Sequence, residues 1–449
     1  MYGDEARFSQ THQDKFIALC LGSPMIFKQG SCHENFLFFI VNSAIAVGTM
    51  GVETLRPILR RACWSLNLAL QGRRPTLSQA LECGFELNRK ATRQAGTKLA
   101  MRFATTQFLG DWQWHVYHWA LFNHYWKCGA ICFRCPAARI PRFGHLFTDI
   151  DFDWEQTLRT TAQFVQQCLV VGPPNPLKDL LGFDVSMLRH CTMHTLNLGI
   201  YLTVNAEGLL MLAALRVSQY QYCNLDEALS HLYDDFRDWC TANRTTCSQR
   251  RWCSKQLHLE SDGVHTFPWL HSKAFNARVI LGWLADALAK SQNDLLAQWP
   301  HESDHGFNDR KQLFSAGIAT VTSFAEWQNV TERFPRYLSA EQATDLKKLG
   351  IQCCHFFFLS AQIAAGQNQL RWLILPKLHI FVHVSLDVGR ERYNPRSYHC
   401  FSGEDFMGYL KLVAQSTPKA ERFEERMLKR SLLKVVTSTP AALERLVIG

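Results

Sequence analysis

Blocks of apolar residues separated by turn-forming residues predict a β-hairpin near the start of the chain. Residues 15–21 (KFIALCL) and 35–41 (NFLFFIV) read as two strands, with glycine, serine and proline between them. Apolar residues then recur at helical spacing over residues 52–70, which predicts a helix. A second helix is predicted over residues 77–100. The opening order is therefore two strands followed by two helices.

A mostly apolar run over residues 103–109 predicts the next strand, and a Gly-Asp step containing Asp111 follows it. Another acid, Asp4, stands before the predicted hairpin. Ligands and metal ions gather at the carboxyl ends of strands in α/β sheets, so Asp111 is a candidate functional acid. A single aspartate after an apolar run is nevertheless most often a turn residue, and other parts of the chain have to support the assignment.

The later part of the pattern is mainly helical. Long helical segments are predicted between about residue 145 and residue 370, including residues 225–242. Residues 372–383 then suit a sheet, and a helix with basic residues is predicted from Glu404 towards the C-terminus. These elements together predict an α/β protein.

Size and composition describe a globular protein. With 449 residues, the chain exceeds the usual size of one core, so one large elaborated domain or two or three packed parts are expected. Apolar residues make up 47% and charged residues 19%, which excludes wholesale disorder. The formal charge of +9 gives a mild bias towards polyanions. The uncharged window 36–52 contains glycine, asparagine and serine, and suits a strand and turn better than a membrane span.

Cysteine and histidine spacing indicates candidate metal ligands. The 16 cysteines are spread irregularly with no leading secretory signal, so we expect reduced thiols in the nucleus or cytosol. Cys132 and Cys135 have the spacing of half a tetrahedral zinc site, although two buried cysteines or a redox pair would share it. His379 and His383 could complete a Cys₂His₂ site, but such histidines more often pack or form hydrogen bonds.

Cys191 and His194, in LRHCTMHTLNLG, form a third local cluster. These two side chains could bind a metal or cofactor, orient an active site, or simply pack. The sequence assigns them no role.

Three acids form a candidate site for phosphodiester chemistry. Two metal ions about 4 Å apart, bridged by carboxylates, neutralise charge at the attacking and leaving oxygens. Magnesium needs only a few carboxylates, because water and phosphate complete its octahedron. Asp4, Asp111 and Glu404 are the natural set. Asp405 is the rival to Glu404, because adjacent helical positions point about 100° apart.

The order of these motifs resembles the catalytic domain of eukaryotic cut-and-paste DDE transposases. This ribonuclease H-like group includes hAT, Transib and the related V(D)J recombinase catalytic subunit. The matching motifs, in chain order, are GDEARFS, FLGDW, CFRC, CTMH, PKLHIFVH and SGEDFMG. They contain the three acids, the cysteine pair, the Cys-x-x-His cluster and the histidine pair, and their order covers most of the chain.

The resemblance implies a ribonuclease H-like mixed sheet with a large, mainly α-helical insertion between the second and third catalytic acids. It implies a first part of the core at residues 1–144, the insertion at 145–370, and a return to the core at 371–449. In such a protein the three acids hold two Mg²⁺ (or Mn²⁺) ions, and a structural Zn²⁺ ties the cysteine pair to the histidine pair. The implied partner is DNA, as transposon ends and target.

Further expectations follow from the same resemblance. We expect a nuclear homodimer with no membrane partner and no small-molecule substrate. Members of this group usually carry an N-terminal DNA-binding domain, and here the first acid is already residue 4. A truncated or domesticated form is therefore expected.

Three functions stay open at this point. The first is a transposase or recombinase core that cleaves and joins DNA. The second is a transposase-derived DNA-binding or scaffold protein without catalysis, and the third is an unrelated helical zinc protein. Convergence of Asp4, Asp111 and Glu404 or Asp405 would favour the first, whereas absence of a sheet beside Asp111 would favour the third.

Overall fold

The protein is a mixed α/β chain that is mostly helical and contains small sheets. The computed structural model describes residues 1–8, 14–22, 35–48, 51–120, 129–171, 175–219, 224–261, 264–298, 305–418 and 421–438. Contacts divide the chain into two compact units. The first is Met1–Gly144, Gln156–Cys191 and Cys400–Gly449, and the second is His145–Glu155 and Thr192–His399. The boundary predicted after residue 144 coincides with a boundary between the two units. Residues 371–399, which were predicted to return to the core formed by residues 1–144, lie in the second unit.

A three-stranded antiparallel sheet organises the first unit. Its strands, in spatial order, are β1 (Tyr2–Arg7), β2 (Lys15–Gly22) and β3 (Asn35–Asn42). β2 pairs antiparallel with β3, which confirms the predicted hairpin. The central strand β2 is buried over five consecutive residues, so it forms the middle of the unit's core.

Two single pairings extend this sheet on the other side of β1. Tyr2 pairs in parallel with Leu109, and Phe108 pairs in parallel with Leu188. The Gly3 N–H donates to the Leu109 carbonyl at 3.1 Å. The predicted strand at residues 103–109 is thus reduced to residues 108 and 109. Residues 104–107 are mostly polar and Phe103 is 55% exposed, so the preceding residues have little apolar surface to bury in a sheet.

Helices complete the first unit. They are Val52–Gln71, Leu77–Glu82, Arg89–Arg93, Trp112–Trp114 with the π-helix His115–Ala120, Thr161–Val171, Phe401–Gln415 and Phe423–Ser438. The helix predicted at residues 52–70 is confirmed by Val52–Gln71, and it ends at Gly72, whose φ of 68° is left-handed. Its buried face, which includes Leu55 and Leu59, joins Ile17 and Phe108 in the main apolar core.

The single helix predicted at residues 77–100 is wrong. Two short helices, Leu77–Glu82 and Arg89–Arg93, replace it. Gly84 adopts a left-handed φ of 72° between them, and the Asn88 side chain caps the second helix by accepting a hydrogen bond from the Ala91 N–H. Apolar residues keep a helix-like spacing from residue 77 to residue 99, which is why a single helix was predicted. Gly84 and the Asn88 cap nevertheless end one helix and start another.

The second unit is built from long helices. They are the π-helix Met193–Ile200 continuing as Tyr201–Gln219, and Leu225–Ala242, Ala274–Gln298, His305–Arg333, Ala340–Gly366 and Pro376–Glu391. Short strands Glu260–Ser261 and Val264–His265 form a hairpin, and His145–Leu146 is another two-residue strand. The helix predicted at residues 225–242 is confirmed by the observed helix Leu225–Ala242. Asn224 and Glu227 form a capping box at the start of this helix.

The sheet predicted over residues 372–383 is wrong, since this stretch enters the helix Pro376–Glu391. Proline at its first turn is compatible with a helix start. Every residue from Leu378 to Val388 is buried. The ring of Phe381, for example, lies 5.0 Å from that of Trp327. A helix buried on all sides shows no polar face, so its sequence resembles a buried strand.

Two described helices are long and apolar enough to cross a membrane by length and composition alone. They are Met193–Leu215 and Ala340–Gly366. The apolar window of the first is 78% buried within the protein, and the core helix of a soluble protein passes the same test.

A buried ion pair links two parts of the second unit. Glu207 is fully buried on the Tyr201–Gln219 helix, and its carboxylate accepts hydrogen bonds from Arg371 Nε at 2.6 Å and the Trp372 N–H at 2.7 Å. Burial raises the pKa of Glu207, and Arg371 opposes that shift. A buried carboxylate left without its cation is strongly unfavourable.

We expect Arg371→Met to lower the free energy of unfolding by about 3 kcal/mol, because it leaves the Glu207 charge buried and unpaired. The double variant Glu207→Gln with Arg371→Met should recover much of the loss. Arg251→Met is the matched control, since it breaks an exposed ion pair with Asp234 and should change stability little. Denaturant unfolding measures all three, and equal effects of Arg371→Met and Arg251→Met would contradict the role given to Glu207.

Candidate active site and metal-binding side chains

Tyr2 and Asp4 lie on one face of β1, because side chains two residues apart point to the same side of a strand. The Tyr2 hydroxyl donates to Asp4 Oδ2 at 2.6 Å and lies 3.1 Å from Glu404 Oε1. The Glu5 N–H also donates to Asp4 Oδ1 at 2.7 Å. A tyrosine hydroxyl therefore joins the first and third predicted acids, which are 400 residues apart in the sequence.

Asp111 stands at the start of the short helical turn Trp112–Trp114. Its carboxylate caps that turn by accepting a hydrogen bond from the Trp114 N–H at 2.6 Å. The parallel pairing of Tyr2 with Leu109 carries Asp111 towards Asp4, and the two carboxylates interact electrostatically. Asp111 is thus both a capping residue and a charged neighbour of Asp4.

Glu404 and its rival Asp405 differ in environment. Glu404 lies in the first turn of the Phe401–Gln415 helix, is half-buried and faces Tyr2, whereas Asp405 follows it in the helix and is exposed. Gly403 permits the close approach, because a Cβ there would lie only 2.6 Å from the Tyr2 ring. The structure therefore brings together Asp4, Asp111 and Glu404, and it leaves Asp405 on the surface.

The surroundings of Asp4 strongly perturb its pKa. Burial, then the charge of Glu404, and further the charge of Asp111, raise the pKa of Asp4 from its ordinary 3.8 to about 7, although hydrogen bonds from Tyr2 and the Glu5 N–H oppose the shift. Burial, together with the charges of Asp4 and Glu404 among others, also raises the pKa of Tyr2 well above its usual range. Like-charged carboxylates in a desolvated place keep a proton or need a cation.

This donor set fits a hard divalent cation. Carboxylate oxygens are the ligands that Mg²⁺ and Mn²⁺ prefer, and a cation would relieve the repulsion that raises the pKa of Asp4. Asp4, Asp111 and Glu404 are the side chains that could hold it. An acid cluster of this kind can stabilise negative charge on a phosphodiester once cations are bound.

Cys132 and Cys135 form a buried pair in the first unit. The Arg134 N–H donates to Cys132 Sγ at 3.3 Å, and the backbone of Ala137 forms a hydrogen bond with the Cys135 side chain. Arg159 Nη1 donates to the carbonyl oxygens of both cysteines, at 2.9 Å and 2.6 Å. Burial, then hydrogen bonding and electrostatic interaction with Cys132, raise the pKa of Cys135 well above its usual range, and the Ala137 backbone and the charge of Arg159 oppose the shift. Zinc binds the thiolate form, so a bound ion would displace the thiol proton.

His379 and His383 form a buried pair in the second unit. They lie one turn apart on the Pro376–Glu391 helix, and their ring centroids are 4.7 Å apart. Trp154 packs edge-on against the His379 ring at 4.6 Å. Two imidazoles at this spacing share a helix face, which is a common way to present two nitrogen ligands to one ion.

The third predicted cluster gains a member in the first unit. Cys191 is buried, and its sulfur accepts a hydrogen bond from the Cys400 N–H at 3.2 Å. Burial, then hydrogen bonding and electrostatic interaction with Cys191, and also the charges of Glu404 and Asp4, raise the pKa of Cys400 well above its usual range. His194 lies in the second unit, in the π-helix Met193–Ile200. Buried cysteine and histidine side chains of the described residues thus form groups that could bind a metal such as zinc.

Sequence reasoning missed three side chains that organise these places. Tyr2 could have been found from strand alternation, since it shares a face with Asp4. Cys400 stands one helical turn before Glu404, which is a usable signal. Arg159 had no local signal, because its carbonyl partners lie 24 and 27 residues earlier in the chain.

Comparison with models of known protein families gives no match, and comparison with curated proteins gives none either. The site therefore has to be interpreted from its own residues.

We expect the stability difference between wild type and Asp4→Asn to depend on pH in the absence of divalent cations. The folded-state pKa of Asp4 is raised from 3.8 to about 7, so its stabilising contribution is present below pH 3.8 and is lost as the pH rises through about 7. Wild type should thus lose at least about 1 kcal/mol relative to Asp4→Asn between acidic and mildly alkaline pH, allowing for solvent screening.

Thermal or denaturant unfolding of both proteins across this range measures the effect. Comparison with Asp4→Asn cancels the buried histidines His115 and His118, whose lowered pKa values give the opposite trend. Added Mg²⁺ should stabilise wild type at the alkaline end. A difference that does not change with pH would contradict the buried acid cluster.

Proposed function

We propose that this protein is a DNA transposase- or recombinase-like catalytic core that cleaves phosphodiester bonds and transfers strands with two divalent metal ions. The observation that carries the proposal is the meeting of three acids from distant parts of the chain. Tyr2 contacts both Asp4 and Glu404, and the charges of Glu404 and Asp111 raise the pKa of Asp4. Placing three carboxylates close together is energetically unfavourable unless bound cations neutralise their charge.

The arrangement of strands supports a ribonuclease H-like core. In that fold the first strand delivers one acid, a hairpin and helix follow, and a later strand delivers the second acid beside the first. Here β1 carries Asp4, and β2, β3 and Val52–Gln71 come next in the chain. Leu109 then pairs in parallel with Tyr2 of β1, two residues before Asp111. This agreement in order is the reason for preferring a DDE-type enzyme over an unrelated helical zinc protein.

The proposed roles follow from chemistry and position. Asp4, Asp111 and Glu404 would hold the metal ions, which supply neutralisation of charge at the attacking and leaving oxygens. The Tyr2 hydroxyl orients two of the carboxylates, and the Trp114 N–H orients the third. The substrates would be DNA ends and a target duplex. Action in the nucleus as a homodimer stays a prediction of the same proposal.

A structural zinc ion belongs to this proposal as well. Its ligands would be Cys132, Cys135, His379 and His383, a set that completes tetrahedral coordination. The support is that each pair is buried, that the sulfur atoms receive backbone hydrogen bonds, and that the imidazoles lie one turn apart. Cys191 and His194 keep no assigned cofactor.

We expect purified protein to nick and join duplex DNA in the presence of Mn²⁺ or Mg²⁺. Asp111→Asn should reduce this activity by at least about 100-fold, because it removes a carboxylate that would hold the metal ions, and these ions neutralise the charge that develops in the transition state. Asp405→Asn is the matched control and should retain activity, since Asp405 is adjacent to Glu404 on the same helix but is exposed. Gel assays on supercoiled plasmid and labelled ends measure both steps.

Equal activity of wild type and Asp111→Asn would refute the catalytic assignment. Binding of DNA without nicking by any of the proteins would favour the alternative, a transposase-derived scaffold that has lost catalysis.

We also expect about one zinc ion per chain in protein purified without chelator. Cys135→Ala and His383→Ala should each lower the zinc content and the thermal stability. Cys240→Ala is the control, because Cys240 is buried on the Leu225–Ala242 helix away from both pairs in sequence. Elemental analysis measures the ratio. Full zinc content in His383→Ala would exclude the four-ligand set, even if the cysteine variants lost the metal.

A further inference from the structure

Residues 72–99 form a self-contained excursion from the first unit, here called the basic excursion. Its two ends are tied together by backbone pairing. Arg73 pairs antiparallel with Lys98, and the Leu99 N–H donates to the Gly72 carbonyl at 2.7 Å. The two short helices Leu77–Glu82 and Arg89–Arg93 lie between these ends. The pairing fixes the start and the end of the excursion side by side.

The basic excursion carries a concentrated positive charge. It contains six basic residues and only two acidic residues, Glu82 and Glu86. The basic residues are Arg73, Arg74, Arg89, Lys90, Arg93 and Lys98. Five of the six are exposed, and Arg74 is half-buried. This balance of four positive charges in 28 residues contrasts with +9 for the whole chain of 449.

These charges are not compensated by neighbouring acids. Within the described residues, none of the six side chains takes part in an ion pair or a hydrogen bond to a carboxylate. Basic residues elsewhere do have such partners, for example Lys15 with Glu5 and Lys347 with Glu155. A surface that leaves its cations unpaired gains most from a polyanion.

The arrangement suits an extended array of phosphates. Arg89 and Arg93 lie one turn apart on the same helix face, and Lys90 is adjacent to them. The Arg73–Lys98 pairing sets two further cations side by side at the base. Phe85 anchors the excursion by stacking on Trp64 at 5.5 Å, with Arg61 over its ring. The cations are therefore held on a fixed support.

We propose that the basic excursion binds the phosphate backbone of duplex DNA. The proposal rests on the proposed function for the identity of the polyanion, and on the unpaired charge for the surface. It requires no contact with bases, because arginine and lysine contacts to phosphate carry no direct sequence information. The excursion thus supplies affinity for DNA of any sequence.

The test is DNA binding without catalysis. The Asp111→Asn protein, with no added divalent metal, is titrated against a short fluorescent duplex at a series of sodium chloride concentrations. Adding Arg89→Gln, Lys90→Gln, Arg93→Gln and Lys98→Gln should weaken binding on the order of tenfold or more. The slope of log K against log salt should become shallower by about 3 to 4, since each phosphate contact contributes about 0.9.

A matched control removes the same charge elsewhere. Arg250→Gln, Lys255→Gln, Lys273→Gln and Lys290→Gln change four exposed basic residues of the second unit. This control should leave the slope unchanged. If the first quadruple variant does not fold by circular dichroism, the double variant Lys90→Gln with Lys98→Gln should still lower the slope by about 2. An unchanged slope in the excursion variants, or equal losses in both quadruple variants, would overturn the proposal.

Two further outcomes separate this inference from the proposed function. Nicking that persists while the excursion variants bind DNA normally refutes the inference alone. If the wild-type protein does not nick DNA but the salt slope of DNA binding still falls in the excursion variants, the catalytic proposal is refuted and the basic excursion is supported as a DNA-binding surface. Leu77 and Leu81 in the basic excursion are also exposed, and a surface with both apolar and basic residues could bind a membrane. Binding to vesicles that contain an anionic lipid is therefore measured as well. Excursion-dependent binding to vesicles and not to DNA would also overturn the proposal.

Discussion

The parallel pairing of Tyr2, at the start of β1, with Leu109 is the constraint on which the candidate site depends. It brings two segments about a hundred residues apart into register, so that Asp4 and Asp111 leave the sheet close to each other. Backbone hydrogen bonds hold this register whatever the charge of the side chains, as the bond from the Gly3 N–H to the Leu109 carbonyl illustrates. The fold can therefore force carboxylates together that would otherwise separate.

Glycine makes this closeness sterically feasible. A Cβ on Gly3 would overlap the Trp114 indole, and one on Gly403 would press on the Tyr2 ring. The tryptophan packs over β1, and its backbone N–H donates to the Asp111 carboxylate. The tyrosine packs against the helix that carries Glu404, and its hydroxyl reaches the acids. Aromatic packing on two glycines thus places hydrogen-bond donors where the carboxylates need them.

The distribution of charge in the first unit has two complementary parts. The acids concentrate negative charge in a desolvated place, which raises the pKa of Asp4 and favours a bound cation. The basic excursion concentrates positive charge on an exposed surface that lacks acidic partners. A substrate that is itself a polyanion and is processed with divalent cations matches both parts, as a DNA backbone would. Neither part alone would distinguish a nuclease-type enzyme from a binding protein.

Elements with local signals could be predicted from the sequence alone. The β2–β3 hairpin follows from two apolar runs with turn residues between them, and the helices Val52–Gln71 and Leu225–Ala242 follow from helical spacing. The candidate acids and cysteines are recognisable by their order in the chain. The helical conformation of residues 376–391 was evident only from the folded protein, because a helix buried on every side has no polar face to reveal its period. The same holds for the inward orientation of Glu404 rather than Asp405, and for the contact of Tyr2 with both Glu404 and Asp4. Those facts depend on contacts between residues hundreds of positions apart, and no local pattern encodes which side of a helix will meet a distant strand.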